Sequence, residues 1–214
     1  MDEDFNRLWD PAWLDAARRS NELARARAMR PIVDSADVLL DLHSMLWPSE
    51  PLLLSGPSRK GRDLALSVGT PELVVVDSGH VSGPRLIDYA RFVSDDTTAA
   101  AALVEAGQHW QPDTVAATRA CVDGLLRATG LQEGRALPSM THRCAEVTVA
   151  VTATTSSFAF TRAFRGGEVV PERNTLIALD GTAEIRTPHD DCLLVMPSLR
   201  PSRGHTAVRL ARFV

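Results

Sequence analysis

The sequence predicts an α/β protein whose C-terminal part is all β, and three observations carry that expectation. Short apolar runs at 37–43, 51–54, 73–77 and 100–104 alternate with amphipathic segments at helical spacing, the signature of a sheet with helices packed on it. Two of these runs close abruptly on chemistry, Asp41-Leu42-His43-Ser44 in one and Glu105-Ala106-Gly107-Gln108 in the other. The carboxyl ends of strands are where α/β sheets keep their sites. From Arg143 onward the pattern changes to short alternating runs separated by turns.

The chain opens on Asp2-Glu3-Asp4-Phe5-Asn6-Arg7, acidic, amide and guanidinium groups set together ahead of any regular element, which taken alone reads as a frayed acidic terminus. Asp10-Pro11 is an N-cap followed by proline at the first helical position. Leu23, Ala26, Met29 or Arg30, and Val33 then recur at helical spacing with arginines outward, and Pro31 should kink or shorten that helix. The run from Asp37 to His43 is expected to be a buried strand. Its alternation puts Asp41 and His43 on one face and Leu40 and Leu42 on the other, so a carboxylate and an imidazole share a surface. An isolated Asp-x-His is also what a core histidine satisfied by a neighbouring carboxylate looks like.

The segment Gly56 to Asp63 has the strand, glycine loop and helix order of a phosphate cradle, but Arg62 and Asp63 stand where a lysine and a hydroxyl belong, and the aspartate would repel phosphate. No Gly-x-Ser-x-Gly occurs, which disfavours a nucleophile-elbow serine hydrolase. Leu73 to Val76 is a β-branched strand, and His80, Gly83 and Pro84 lie in a turn-rich loop behind it. Glu105, at the end of a buried run, must be paired, hydrated or used, because burying its charge alone is costly. Pro112 to Gly130 reads as a helix with its glycine cap, and Asp180-Gly181 as a hairpin turn. The expected division is an α/β domain over 1–131 and a β-rich domain over 132–214, joined by a linker at 132–138.

Composition narrows the classes of function. The 214 residues are 44% hydrophobic and 23% charged, enough to bury a sizeable core. A net charge of -4, with Lys60 the only lysine among 23 basic residues and no basic run, argues against nucleic acid as a partner. No apolar run approaches the roughly 20 residues a bilayer span requires, and the acidic start lacks a signal-peptide pattern, so a cytoplasmic protein without a membrane partner is expected. Cys121, Cys144 and Cys192 are odd in number and widely spaced, which suggests reduced packing residues.

Taken together, Asp4-Phe5-Asn6-Arg7, the run Ala36 to Ser44, Val104 to Gln108 and the late Met196-Pro197-Ser198 resemble, in order and spacing, the succinylglutamate desuccinylase/aspartoacylase family of the zinc carboxypeptidase clan. The resemblance implies a mixed sheet flanked by helices, zinc-carboxypeptidase-like, followed by a small C-terminal all-β domain. It implies a zinc-dependent hydrolase (Zn2+) that removes the acyl group from an N-acyl amino acid or a similar small amide or ester. His43 matches the third zinc ligand, Glu105 the glutamate that activates water, and Asn6 and Arg7 the pair that holds a substrate carboxylate, with Asp4 in support. Phe5 replaces the usual leucine and should be a packing change only. An arginine fork suits a carboxylate better than a lysine would.

One departure accompanies the match. The other two zinc ligands of the family lie in an upstream His-x-x-Glu, and none occurs near the start of this chain. The resemblance therefore implies an N-terminally incomplete pattern, weak zinc binding by one histidine, and a sheet whose first strands are missing and whose edge is exposed. His80, His109, Asp41 and Glu3 are the conceivable substitute ligands. Two classes of function follow: a deacylase acting on a small anionic N-acyl amino acid, impaired without the upstream ligands, or a non-catalytic remnant that binds a small carboxylate or serves as an interaction module. Oligomeric state is open, homo-oligomers included.

Overall fold

The structure, a computed structural model, describes residues 2–79, 82–133 and 141–214. A 3-10 turn at Phe5–Arg7 leads into helices α1 (Pro11–Asp15) and α2 (Asn21–Ser35), then strands β1 (Val38–Met45) and β2 (Leu52–Ser55). Helix α3 (Arg59–Val68), strand β3 (Leu73–Val76), a 3-10 turn at Leu86–Asp88, helix α4 (Ala90–Val93), strand β4 (Ala100–Gln108) and helix α5 (Pro112–Ala128) follow. The remaining elements are strands: β5 (Arg143–Thr152), β6 (Phe158–Phe160), β7 (Val169–Val170), β8 (Leu176–Asp180), β9 (Ala183–Arg186), β10 (Cys192–Val195) and β11 (Thr206–Phe213).

Local chemistry sets the helix starts. Asp10 accepts from the Ala12 N–H at 2.7 Å with Pro11 at the first helical position, Ser20 caps α2 through the Leu23 N–H at 2.9 Å, and Ser58 caps α3 through the Gly61 N–H. Pro31 lies inside α2, which runs on to Ser35, so of the two expected effects it does not cut the helix short. Its missing N–H falls in the last turns, and those turns are held from outside: Val33 is buried, and Asp34 accepts a hydrogen bond from the Tyr89 hydroxyl at 2.8 Å. The opening residues are not frayed either. Leu8 and Trp9 are fully buried, and the Trp9 ring meets Phe5 and Tyr89 edge-on, each at 5.8 Å between centroids.

Eight strands form one mixed sheet in the order β1-β4-β2-β3-β5-β11-β10-β7, and β6, β8 and β9 form a smaller antiparallel sheet. The hydrogen-bond ladder crosses from the first part of the sequence to the second, since β3 pairs in parallel with β5 from Leu73↔Arg143 to Val76↔Glu146. The small sheet packs through Phe158, Ile177 and Ala178 onto Leu194, Val208 and Leu210 of the large one. Its hairpin turns at Asp180-Gly181, where Gly181 has φ +63°.

Two apolar layers sandwich the first half of the sheet. Leu52, Leu54, Leu73, Val75, Ala101 and Leu103 face Leu23, Ala26 and Val33 of α2, while Leu53, Val74, Ala102 and Val104 face Ala65 and Val68 of α3 and Cys121 of α5. Helices α3 and α5 approach so closely that a Cβ at Gly124 would lie 2.2 Å from the Val68 carbonyl oxygen. The expectation that β1 is buried needs correction: it is the edge strand, with Val38 37% and Leu42 49% exposed, because β4 covers only one of its sides. The cysteines are free thiols, and burial pushes Cys121 and Cys192 up to about 11. Among the described residues no helix is long and apolar enough to cross a membrane.

Candidate active site

The site is assembled by the pairing of two strands that lie far apart in sequence. Strands β1 and β4 run parallel with His43 opposite Glu105, so their side chains leave the sheet on one face, and the pleat returns Asp41 to that face. His43 Nε2 stands 3.0 Å from Asp41 Oδ2. A carboxylate only accepts, so Nε2 carries its proton toward Asp41 and Nδ1 is the nitrogen left with a lone pair. Burial works to lower the His43 pKa, but the hydrogen bond and charge of Asp41, with Glu105 adding to them, outweigh it and hold the imidazole above its ordinary value.

Immediately beyond Glu105 the register slips: His43 faces Glu105 but Met45 faces Gln108, leaving one extra residue on β4. Gly107, at φ +122°, makes that bulge, and a Cβ there would meet the Thr114 hydroxyl at 2.9 Å. The bulge ends regular pairing at the site. Glu105 Oε2 is buried and has no hydrogen-bond partner among the described residues. Burial raises the Glu105 carboxyl to about 7, with the charges of His43, Arg209 and Arg7 pulling the other way. Glu105 also lines a cleft of about 260 Å³ walled by Ser44 to Ser49 and by Met196, Pro197 and Ser198.

Asn6 and Arg7 arrive from the opening 3-10 turn, which Asp4 caps by accepting from the Asn6 N–H at 2.9 Å. The Asn6 amide is oriented by its neighbours. Its Oδ1 accepts from the Leu86 N–H at 2.7 Å, which turns Nδ2 toward Asp41 Oδ2 at 3.4 Å and His43 Nε2 at 3.3 Å. Arg7 donates from Nη1 to the Asn6 carbonyl at 2.6 Å, and its buried Nε lies 3.8 Å from Asp4 Oδ2 with no hydrogen-bond partner among the described residues. Burial lowers its pKa, and the positive charges of Arg209 and Arg85 lower it further against Asp4. Of the sequence-predicted residues, Asn6 and His43 meet at Asp41 with Glu105 opposite His43, and Arg7 adjoins them through the Asn6 carbonyl and acts on His43 and Glu105 by its charge.

Several neighbours were missed in the sequence. Asp77, ending β3, is buried and accepts from Arg85 Nη1 at 3.0 Å and Arg209 Nε at 2.7 Å through the same oxygen, Oδ2. Arg85 also forks onto Asp88 at 2.7 and 3.0 Å. The available signals were a carboxylate closing an apolar strand and an arginine inside the apolar run of β11. Arg7 and Arg209 line a second cleft, of about 360 Å³, together with Asp4, Ser82, His205 and Thr206.

A zinc ion needs several ligands converging on one point. Among the described residues no group of three His, Cys, Asp or Glu side chains does so. His43 Nδ1 is one donor; His109 Nδ1 is instead 2.7 Å from Ser44 Oγ, Glu3 is paired with Arg18 at 2.7 Å, Asp41 is paired with His43, and His80 lies outside the described residues. These residues do not make a zinc site by themselves.

No family model matches the sequence, and no curated protein matches it. Solved structures do. Succinylglutamate desuccinylase from Vibrio cholerae superposes with a TM-score of 0.74 at 17% identity, covering 100% of this chain and 66% of its own. A succinylglutamate desuccinylase/aspartoacylase from Rhodobacter sphaeroides gives 0.70 at 16% identity, covering 99% of this chain and 68% of its own. Murine aminoacylase 3 gives 0.68 at 14%, with 100% and 78% covered. The chain therefore has the desuccinylase/aspartoacylase fold. It spans about two thirds of the length of the first of these structures.

Proposed function

We propose that this protein is a hydrolase of the deacylase type that acts on small N-acyl amino acids, with Glu105 as the group that moves the proton. The observation that carries the reading is Glu105 itself: a carboxyl held up to about 7, beside His43, with one oxygen unpartnered and a cleft in front of it. A general base works best when its pKa is near the operating pH. In its ionised form Glu105 takes a proton from a water attacking the acyl carbonyl, and it returns that proton to the nitrogen of the departing amine. Asp41 holds the His43 ring in one orientation, Asn6, fixed by the Leu86 N–H, turns its amide donor to Asp41, and Arg7 offers a guanidinium to the carboxylate of the substrate. The names of similar folds, desuccinylase and aminoacylase, support the substrate class.

A second reading is a carboxylate-binding protein without catalysis. It is favoured by the single imidazole donor at the centre, which among the described residues is short of what zinc requires. One experiment separates the two. Hydrolysis of a panel of N-acetyl and N-succinyl amino acids is followed by amine release, for the wild type and for Glu105→Gln, with metal content measured by mass spectrometry. Hydrolysis lost in Glu105→Gln by at least about 100-fold fits the proton-transfer role. Equal rates in both proteins would sink the first reading, and an inert wild type that still binds acyl amino acids would favour the second.

A further inference from the structure

Arg209 has no role in the chemistry described above, yet its surroundings point to one. It stands in β11, is only 8% exposed, and is anchored by its Nε–H on Asp77. Asp77 is already engaged by Arg85 through Nη1, and the Nε and Nη2 groups of Arg85 bond Asp88 and the Asp77 carbonyl. The Nη1 and Nη2 groups of Arg209 and the Nη2 group of Arg7 make no hydrogen bond among the described residues, and both side chains line the 360 Å³ cleft. Arg85 and Arg209 hold Asp77, and the charges of Arg209 and Arg85 press on Arg7, whose ion-pair partner Asp4 is largely exposed. Guanidinium groups held close enough to repel one another are relieved when an anion joins them.

We propose that Arg209 and Arg7 form a two-guanidinium clamp for a ligand carboxylate, with Arg209 as the residue that selects acidic over neutral ligands. The assignment rests on the carboxylate-holding role given to Arg7 above. Asp77 fixes the Arg209 plane, so the two terminal N–H groups are presented as a rigid fork, the geometry that matches the two oxygens of a carboxylate. Asp4, on the wall of the same cleft, favours a planar monoanionic group over a phosphate dianion.

The test is calorimetric titration of the full chain at pH 7 with succinate, its neutral diamide succinamide, and inorganic phosphate, on the wild type, Arg209→Gln and Arg209→Lys. The clamp requires succinate to bind at least ten-fold more tightly than succinamide or phosphate, and Arg209→Gln to weaken succinate at least ten-fold. Should Arg209→Gln fail to fold because Asp77 is stripped of a partner, Arg209→Lys decides. It keeps a charge against Asp77 but cannot also extend two N–H groups into the cleft, so it too should weaken succinate at least ten-fold. Wild-type affinity in whichever variant folds overturns the proposal, as does equal binding of succinamide or of phosphate, or no succinate binding at all. Failure here is distinct from failure of the deacylase reading. Loss of succinate binding in Arg209→Gln with no hydrolysis by the wild type keeps the clamp and removes the enzyme; hydrolysis indifferent to Arg209 and to substrate charge does the reverse.

Discussion

Glu105→Gln keeps the shape of a buried side chain while removing its charge, and it should make the protein more stable at pH 8 while abolishing hydrolysis. The sign follows from the direction of the shift. Glu105 titrates at about 7 in the folded chain against an ordinary 4.5, so between those values the folded state holds a proton that the unfolded state has released. Stability therefore falls as pH rises through that window, and above it the folded protein carries a penalty on the order of 3 kcal/mol for the ionised carboxylate. The His43 imidazole, also raised, adds a smaller loss of the same sign as it deprotonates. Glutamine is neutral throughout and escapes the Glu105 penalty. With a urea dependence of roughly 2 to 3 kcal/mol per M for a chain of this size, the variant should unfold about 1 M later than wild type at pH 8 and together with it at pH 4.5. The measurement is urea unfolding followed by tryptophan fluorescence at the two pH values, with a chelator present. Parallel curves, with the same offset at both pH values, would show that Glu105 is not held up in the fold, and the argument for it as a base near neutrality would go with that result.

Three further outcomes are expected. Arg7→Gln should raise KM for an N-acyl amino acid about 10- to 100-fold with kcat changed less, in steady-state kinetics, because a guanidinium that grips a non-reacting carboxylate binds substrate and transition state alike; an unchanged KM would remove Arg7 from the site. Asp77→Ala leaves Arg85 and Arg209 buried beside an empty position and should destabilise by about 3 kcal/mol or more in urea unfolding, far above an exposed pair such as Arg59 and Asp63. Gly124→Ala puts a methyl into the Val68 carbonyl at 2.2 Å and should destabilise by about 1 to 3 kcal/mol, although alanine is the better helix former; a stabilised variant would mean that α3 and α5 are not in contact there.

How much of this was legible depends on the distance over which the physics acts. The shared face of Asp41 and His43 is a local consequence of the strand period, and the structure has them 3.0 Å apart. The helix start at Asp10 and the turn at Asp180-Gly181 are equally local. The exposure of β1 was not, since a strand of alternating leucines looks the same at an edge as in the middle until the sheet order is known. The adjacency of His43 and Glu105 depends on the same nonlocal order, and no period in the sequence encodes that β4 is inserted between β1 and β2. A family resemblance supplied it instead.

The rule that a carboxylate ending a buried strand must be paired or used applies equally to Asp77 after β3 and to Glu105 within β4, and the sequence gives no reason to treat them differently. The partners do. Asp77 takes two guanidinium groups, one of them from a residue 132 positions away, and both donate to the same buried oxygen. Glu105 faces an imidazole and keeps one oxygen with no partner among the described residues, so its burial is relieved by holding a proton to near neutrality. Pairing makes the first a structural anion that fixes Arg209, and incomplete pairing makes the second a group able to give and take a proton. The same residue type at the same kind of position therefore divides into scaffold and chemistry according to contacts that only the folded chain brings together.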